Sequence, residues 1–168
     1  LTTDPGDHPA ALLVGRPDTR LVVGDTLAVE LAVQGLPTGE VAVNLASDRG
    51  GAAEQAVWVE AALGYGTAWL DLGEPGTGWV ELTAEIPANG LSWRGRVYRL
   101  EPRWFLERHE VVEAMEGPEG DILRFWMFRV LRGQQRFDPR DDPAPLAEAV
   151  ERTDALLARH AAHGTVLP

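Results

Sequence analysis

Residues 79–100 read WVELTAEIPANGLSWRGRVYRL, and the two arms of this stretch decide the fold. Each arm alternates apolar and polar positions around Pro87-Ala88-Asn89-Gly90, a turn composition, which predicts an antiparallel hairpin. Closed symmetrically about that turn, the hairpin sets Ile86 opposite Leu91, Ala84 opposite Trp93, Leu82 opposite Gly95 and Val80 opposite Val97. That side is apolar and must face a core. The other side pairs Trp79 with Tyr98, Glu81 with Arg96, Thr83 with Arg94 and Glu85 with Ser92, pairs that are aromatic or able to attract across the strands. A slip of one residue would exchange the two faces, so both patterns support one register.

Moving toward the N-terminus, TAWLDL places Ala68, Leu70 and Leu72 inward and Thr67, Trp69 and Asp71 outward. A wide turn through Gly73-Glu74-Pro75-Gly76 then sets Leu70 opposite Val80 and Trp69 opposite Glu81. The outer face so gathers Trp69, Trp79, Glu81, Arg96 and Tyr98, with Trp58 able to extend the strip. Leu63-Gly64-Tyr65-Gly66 reads as a break between strands, and Ser47–Ala53 as a flexible connection because of its glycines. Further inward faces come from Val57 and Val59, from Val41, Val43 and Leu45, and from Leu27, Val29, Leu31 and Val33. Ala11–Val14 reads as a short first strand after a loose arm.

Beyond Glu101 the pattern changes. The segment PRWFLERHEVVEAMEG is expected to mix a short helical turn with a strand near Val111–Met115. The run ILRFWMFRVLR (122–132) reads as a strand apolar on both sides, which needs cover on both. Asp142-Pro143 then opens an amphipathic helix with Leu146, Ala149, Val150, Thr153, Leu156, Leu157 and His160 on one stripe. The expected fold is therefore mainly β: an immunoglobulin-like antiparallel β-sandwich with a C-terminal amphipathic helix packed on it. The arm and possible first strand occupy 1–19, the sandwich 20–132, and the linker and helix 133–168. The strand pattern over residues 20–100 resembles the immunoglobulin-like accessory sandwiches of bacterial cell-surface proteins and of glucan-processing enzymes, which implies an accessory role.

The chain has 168 residues, a formal net charge of −11 and no cysteine. That length suits one domain with a real core. The acidity argues against duplex DNA or an anionic membrane as partner, and the missing cysteines exclude thiol chemistry and disulfides. Lack of disulfides leaves a cytoplasmic and an extracellular setting equally open. Neither a targeting segment nor an apolar run of about 20 residues, the length that spans a bilayer, is present. A start at Leu1 without methionine reads as a processed chain or a piece of a longer one.

No cofactor is implied and no metal site is expected: His8, His109, His160 and His163 do not form a ligand set, and Asp138, Asp141 and Asp142 lack the spacing of a calcium loop. The expected function is that of a non-catalytic interaction module binding a glycan or a protein partner through the aromatic sheet face formed by Trp58, Trp69, Trp79, Glu81, Arg96 and Tyr98. Two alternatives stay open. One is a small hydrolase-like enzyme with loop-borne residues, among which Arg94, Arg96, His109 and Glu110 come first. The other is a purely structural accessory domain of a glucan-processing enzyme, its aromatic face covered by the helix or by another domain of the same parent chain.

Overall fold

The computed structural model describes residues 9–15, 21–137 and 142–164; most of the expected N-terminal arm lies outside them. Eight strands are described: β1 (Ala11–Val14), β2 (Leu21–Val23), β3 (Thr26–Gln34), β4 (Gly39–Ser47), β5 (Ala52–Val59), β6 (Leu63–Asp71), β7 (Gly78–Ile86) and β8 (Leu91–Leu100). Three helices follow, α1 (Trp104–Glu113), α2 (Gly117–Gln135) and α3 (Ala144–Gly164). The strands form a smaller sheet in the order β1-β3-β6 and a larger one in the order β2-β8-β7-β4-β5.

The hairpin β7–β8 has the register that its two-faced pattern dictates, from Ile86 opposite Leu91 to Trp79 opposite Tyr98. Its turn is a single 3-10 turn, Pro87–Asn89, closed by Gly90 at φ 65. Proline supplies the first φ and glycine tolerates the left-handed one. Inward side chains of both sheets, including Val33, Val43, Val57, Leu70, Val80, Ile86 and Val97, meet in one fully buried core. Each fully buried aliphatic side chain contributes about 1.5–3 kcal/mol relative to leaving it in water.

A second core lies on the outer face of the larger sheet. Tyr98 and Leu100 of β8 are buried there against Trp104, Val112, Leu123, Met127, Val130, Leu146 and Val150 from the three helices. The C-terminal end of β8 is thus buried on both faces, while Ser92, Arg94 and Arg96 nearer the turn are exposed. Asp142 caps α3 by accepting the Ala144 N–H (2.9 Å), and the expected apolar stripe faces the helical core, with Thr153 satisfied internally by donating to the Ala149 carbonyl (2.8 Å).

Neither expected strand forms: 111–113 are the last residues of α1, 114–115 lie in the connection after it, and 122–131 lie within α2. In α2 the buried residues are Leu123, Met127 and Val130, spaced by four and three, whereas Ile122, Phe125 and Phe128 remain half or more exposed. A strand apolar on two sides and a helix with an apolar outer face share the same composition, and the period is what separates them. The expectation of an immunoglobulin-like antiparallel sandwich with one C-terminal helix is therefore overturned: the chain is a mixed α/β fold of two sheets and three packed helices, with β2 running parallel to β8. The resemblance to immunoglobulin-like accessory modules falls with it.

Strand β6 carries a second correction. Ala68, Leu70 and Leu72 do face inward, but β6 pairs over its full length with β3, so Leu70 lies opposite Leu27 and Trp69 opposite Ala28, not Val80 and Glu81. Gly64 and Gly66 lie within the strand, not in a break. A Cβ at Gly64 would sit 2.5 Å from the Trp58 carbonyl oxygen, so the glycines let β6 cross closely over β5 where the chain passes from one sheet to the other. The β4–β5 connection, expected to be flexible, is instead pinned. The Ser47 hydroxyl donates to the Leu72 carbonyl (2.7 Å) and accepts the Gly51 N–H (3.0 Å). The Glu74 N–H donates to the Arg49 carbonyl (2.8 Å). A Cβ at Gly51 would overlap the Asp71 carbonyl at 1.7 Å, so only glycine fits this crossing.

Candidate functional site

The residues expected to form one aromatic face are distributed over three places. Trp79 and Tyr98 do meet, edge to face at 5.1 Å between ring centroids, but Tyr98 is only 1% exposed and Trp79 is half-buried against the helical core. Burial holds the Tyr98 hydroxyl well above its ordinary pKa, with Glu151 and Asp154 acting in the same direction and Arg49 against it. The Arg96 guanidinium lies 3.9 Å above the Trp79 ring, so Arg96 and the exposed Glu81 are paired in register while the arginine stacks on tryptophan. Of these four, Trp79 and Tyr98 pack against the helical core, while Arg96 and Glu81 stay exposed beside it.

Trp69 stands on the outer face of the smaller sheet and Trp58 on the outer face of the edge strand β5, opposite Glu40. Among the residues considered for chemistry, Arg94 is exposed on β8. His109 stacks on Phe105 at 5.2 Å and lies 4.0 Å from Glu113, and Glu110 is an exposed neighbour on α1. Among the described residues no group of three or more His, Asp or Glu side chains could hold a metal ion; Asp138 and Asp141 lie outside them.

A different surface brings aromatic and hydrogen-bonding side chains together. Along β6, Tyr65, Thr67 and Trp69 project from one side, and their β3 partners are Ala32, Glu30 and Ala28. Tyr65 is 71% and Trp69 72% exposed. At about 3.3 Å per residue the two aromatic positions stand roughly 13 Å apart along a rigid strand. Alanine opposite each ring presents only a methyl group beside it, and both rings stay largely exposed. Glu30 and Thr67 lie between the rings and line, with Tyr65 and Gly66, a shallow depression of about 310 Å³. Leu13 of β1, opposite Ala32, extends the apolar edge.

Tyr65 was not foreseen, since its two flanking glycines look like punctuation. The available signal was the parity it shares with Thr67 and Trp69. The chain matches no protein-family model, and no curated protein matches it.

Proposed function

We propose that this chain is a non-catalytic interaction module that binds a glycan on the outer face of the β1-β3-β6 sheet. The observation that supports it is the pair Tyr65 and Trp69, both more than 70% exposed, on one side of one strand with Glu30 and Thr67 between them. A sugar ring offers an apolar C–H face and a rim of hydroxyls. Aromatic side chains meet the first with large area and little rotamer cost, and a carboxylate and a hydroxyl meet the second. A protein hot spot favours a continuous apolar centre with polar groups at its rim, whereas here the polar groups occupy the middle.

Titration of the intact chain with a panel of neutral oligosaccharides, followed by tryptophan fluorescence and calorimetry, tests this. Trp69→Ala and Tyr65→Ala should each weaken binding by about tenfold or more, as expected for loss of an aromatic anchor. Neither should shift the melting temperature appreciably, since exposed positions typically change stability by no more than about 0.5 kcal/mol. Absence of binding to every oligosaccharide, or binding indifferent to both substitutions, would end the proposal.

A further inference from the structure

We infer that the groove between α2 and α3 is a docking site for an acidic amphipathic helix of a partner protein. Phe125 and Phe128 are 55% and 57% exposed, although the helical period already satisfies the core through other residues. With Leu146 they line a groove of about 550 Å³ whose rim carries Arg129, Arg132 and Arg136. Among the described residues these three arginines form no ion pair, unlike Arg124, which holds Asp121 at 2.7 Å. Arg129 rests instead near the rings of Phe125 and Trp126, at 5.8 and 5.4 Å.

Arginines spaced by three and four residues share one helix face and repel one another unless an anion lies among them. Between Ile122 and Arg136 there is no acidic residue, on a chain whose net charge is −11. The groove is therefore a cationic, aromatic patch on an anionic molecule, and its complement is a ligand that is both acidic and apolar. Helix-in-groove recognition supplies that combination through anchors at i, i+3, i+4 and i+7 with carboxylates flanking them. A free anion leaves the phenylalanines unused. An anionic membrane presents an extended surface that the net charge opposes, while a single helix engages the groove locally.

Fluorescence anisotropy of the intact chain with three labelled peptides of about 16 residues, long enough to hold helix, tests the site. The peptides share one leucine–phenylalanine stripe, and their polar faces are all glutamate, all glutamine or all lysine. The glutamate peptide should bind about tenfold or more tighter than the glutamine one, and the difference should shrink in high salt. Phe128→Ala, Arg132→Gln and the pair Arg129→Glu with Arg132→Glu should each weaken it, while Trp69→Ala leaves it unchanged. Circular dichroism melts confirm that the variants remain folded. Equal binding of the three peptides, binding of none, or binding unaffected by those variants would overturn the assignment. So would cosedimentation with phosphatidylserine vesicles in place of peptide binding, or self-association of the chain abolished by Arg132→Gln.

Discussion

Arg99 shows how one residue can hold distant loops. Its side chain is 0% exposed and ion-paired with the solvent-facing Asp25. Nε donates to the Gly24 carbonyl (3.0 Å) and Nη1 to the Glu74 carbonyl (2.9 Å), while Glu101 lies 3.6 Å away. The planar fork ties the β2–β3 turn to the β6–β7 connection, which a lysine could not do with one nitrogen. Because Asp25 remains in water, the cost of removing Arg99 resides mainly in the two carbonyls left without a donor, each worth about 1–3 kcal/mol. Arg99→Met should therefore lower stability by about 2–6 kcal/mol in urea unfolding. A loss below about 0.5 kcal/mol, the level of an ordinary surface change, would show that water replaces the guanidinium.

At the scale of elements, α2 makes the sharpest test. Leu123 is 1% and Phe128 57% exposed, yet both belong to the same unbroken apolar run. Leu123→Ala should cost about 2–5 kcal/mol, and Phe128→Ala should stay within about 0.5 kcal/mol; comparable losses in thermal melts would mean that the outer face is covered. The helices are held by specific polar ties as well as by packing. Asp154 of α3 accepts the Trp104 Nε1–H (3.2 Å) and the Arg108 Nε–H (2.6 Å) of α1. Arg124 of α2 donates to the carbonyls of Val112 (3.1 Å) and Met115 (2.9 Å), tying α2 to the C-terminal end of α1 and the residues after it. The β5–β6 turn is equally specific and hidden in the sequence. Ala61 and Ala62 both adopt positive φ, 53° and 60°, where Asn-Gly is the usual composition.

For the whole molecule, β8 joins the two cores, with Val97 in the core between the sheets and Tyr98 and Leu100 in the helical one. Alkaline pH reports on that junction without lysine or cysteine titrating in the same range, because all 15 lysine-plus-arginine positions are arginine and the chain has no cysteine. The Tyr98 hydroxyl keeps its proton in the folded chain beyond its ordinary pKa of 10.0. The unfolded chain releases it near that value. Its stabilising contribution is thus complete below about pH 10 and declines above it, by at most about 1.4 kcal/mol per pH unit. Melting temperatures between about pH 9 and about pH 11.5 should fall more steeply for the parent chain than for Tyr98→Phe, with Tyr65→Phe as the control for the second tyrosine. Parallel profiles for the parent and Tyr98→Phe would show that the junction admits the phenolate.

The sequence alone determined the β7–β8 register, the inward parity of β3 to β6 and the apolar stripe of α3, because periods of two and of 3.6 are local properties of the chain. It also marked Trp58, Trp69 and Trp79 as residues to examine, without showing which of them water reaches. Only the tertiary structure decided that β6 joins β3, that 122–131 is helical and that Tyr98 lies under the helices. Those choices depend on contacts between residues far apart in sequence. Gly51 admits the Asp71 carbonyl, Arg49 and Arg99 clamp the 73–78 connection, and α1, α2 and α3 close a second core over half of a face that its own alternation left open to either water or protein. Alternation records which side a residue takes; what covers that side is settled by the rest of the chain.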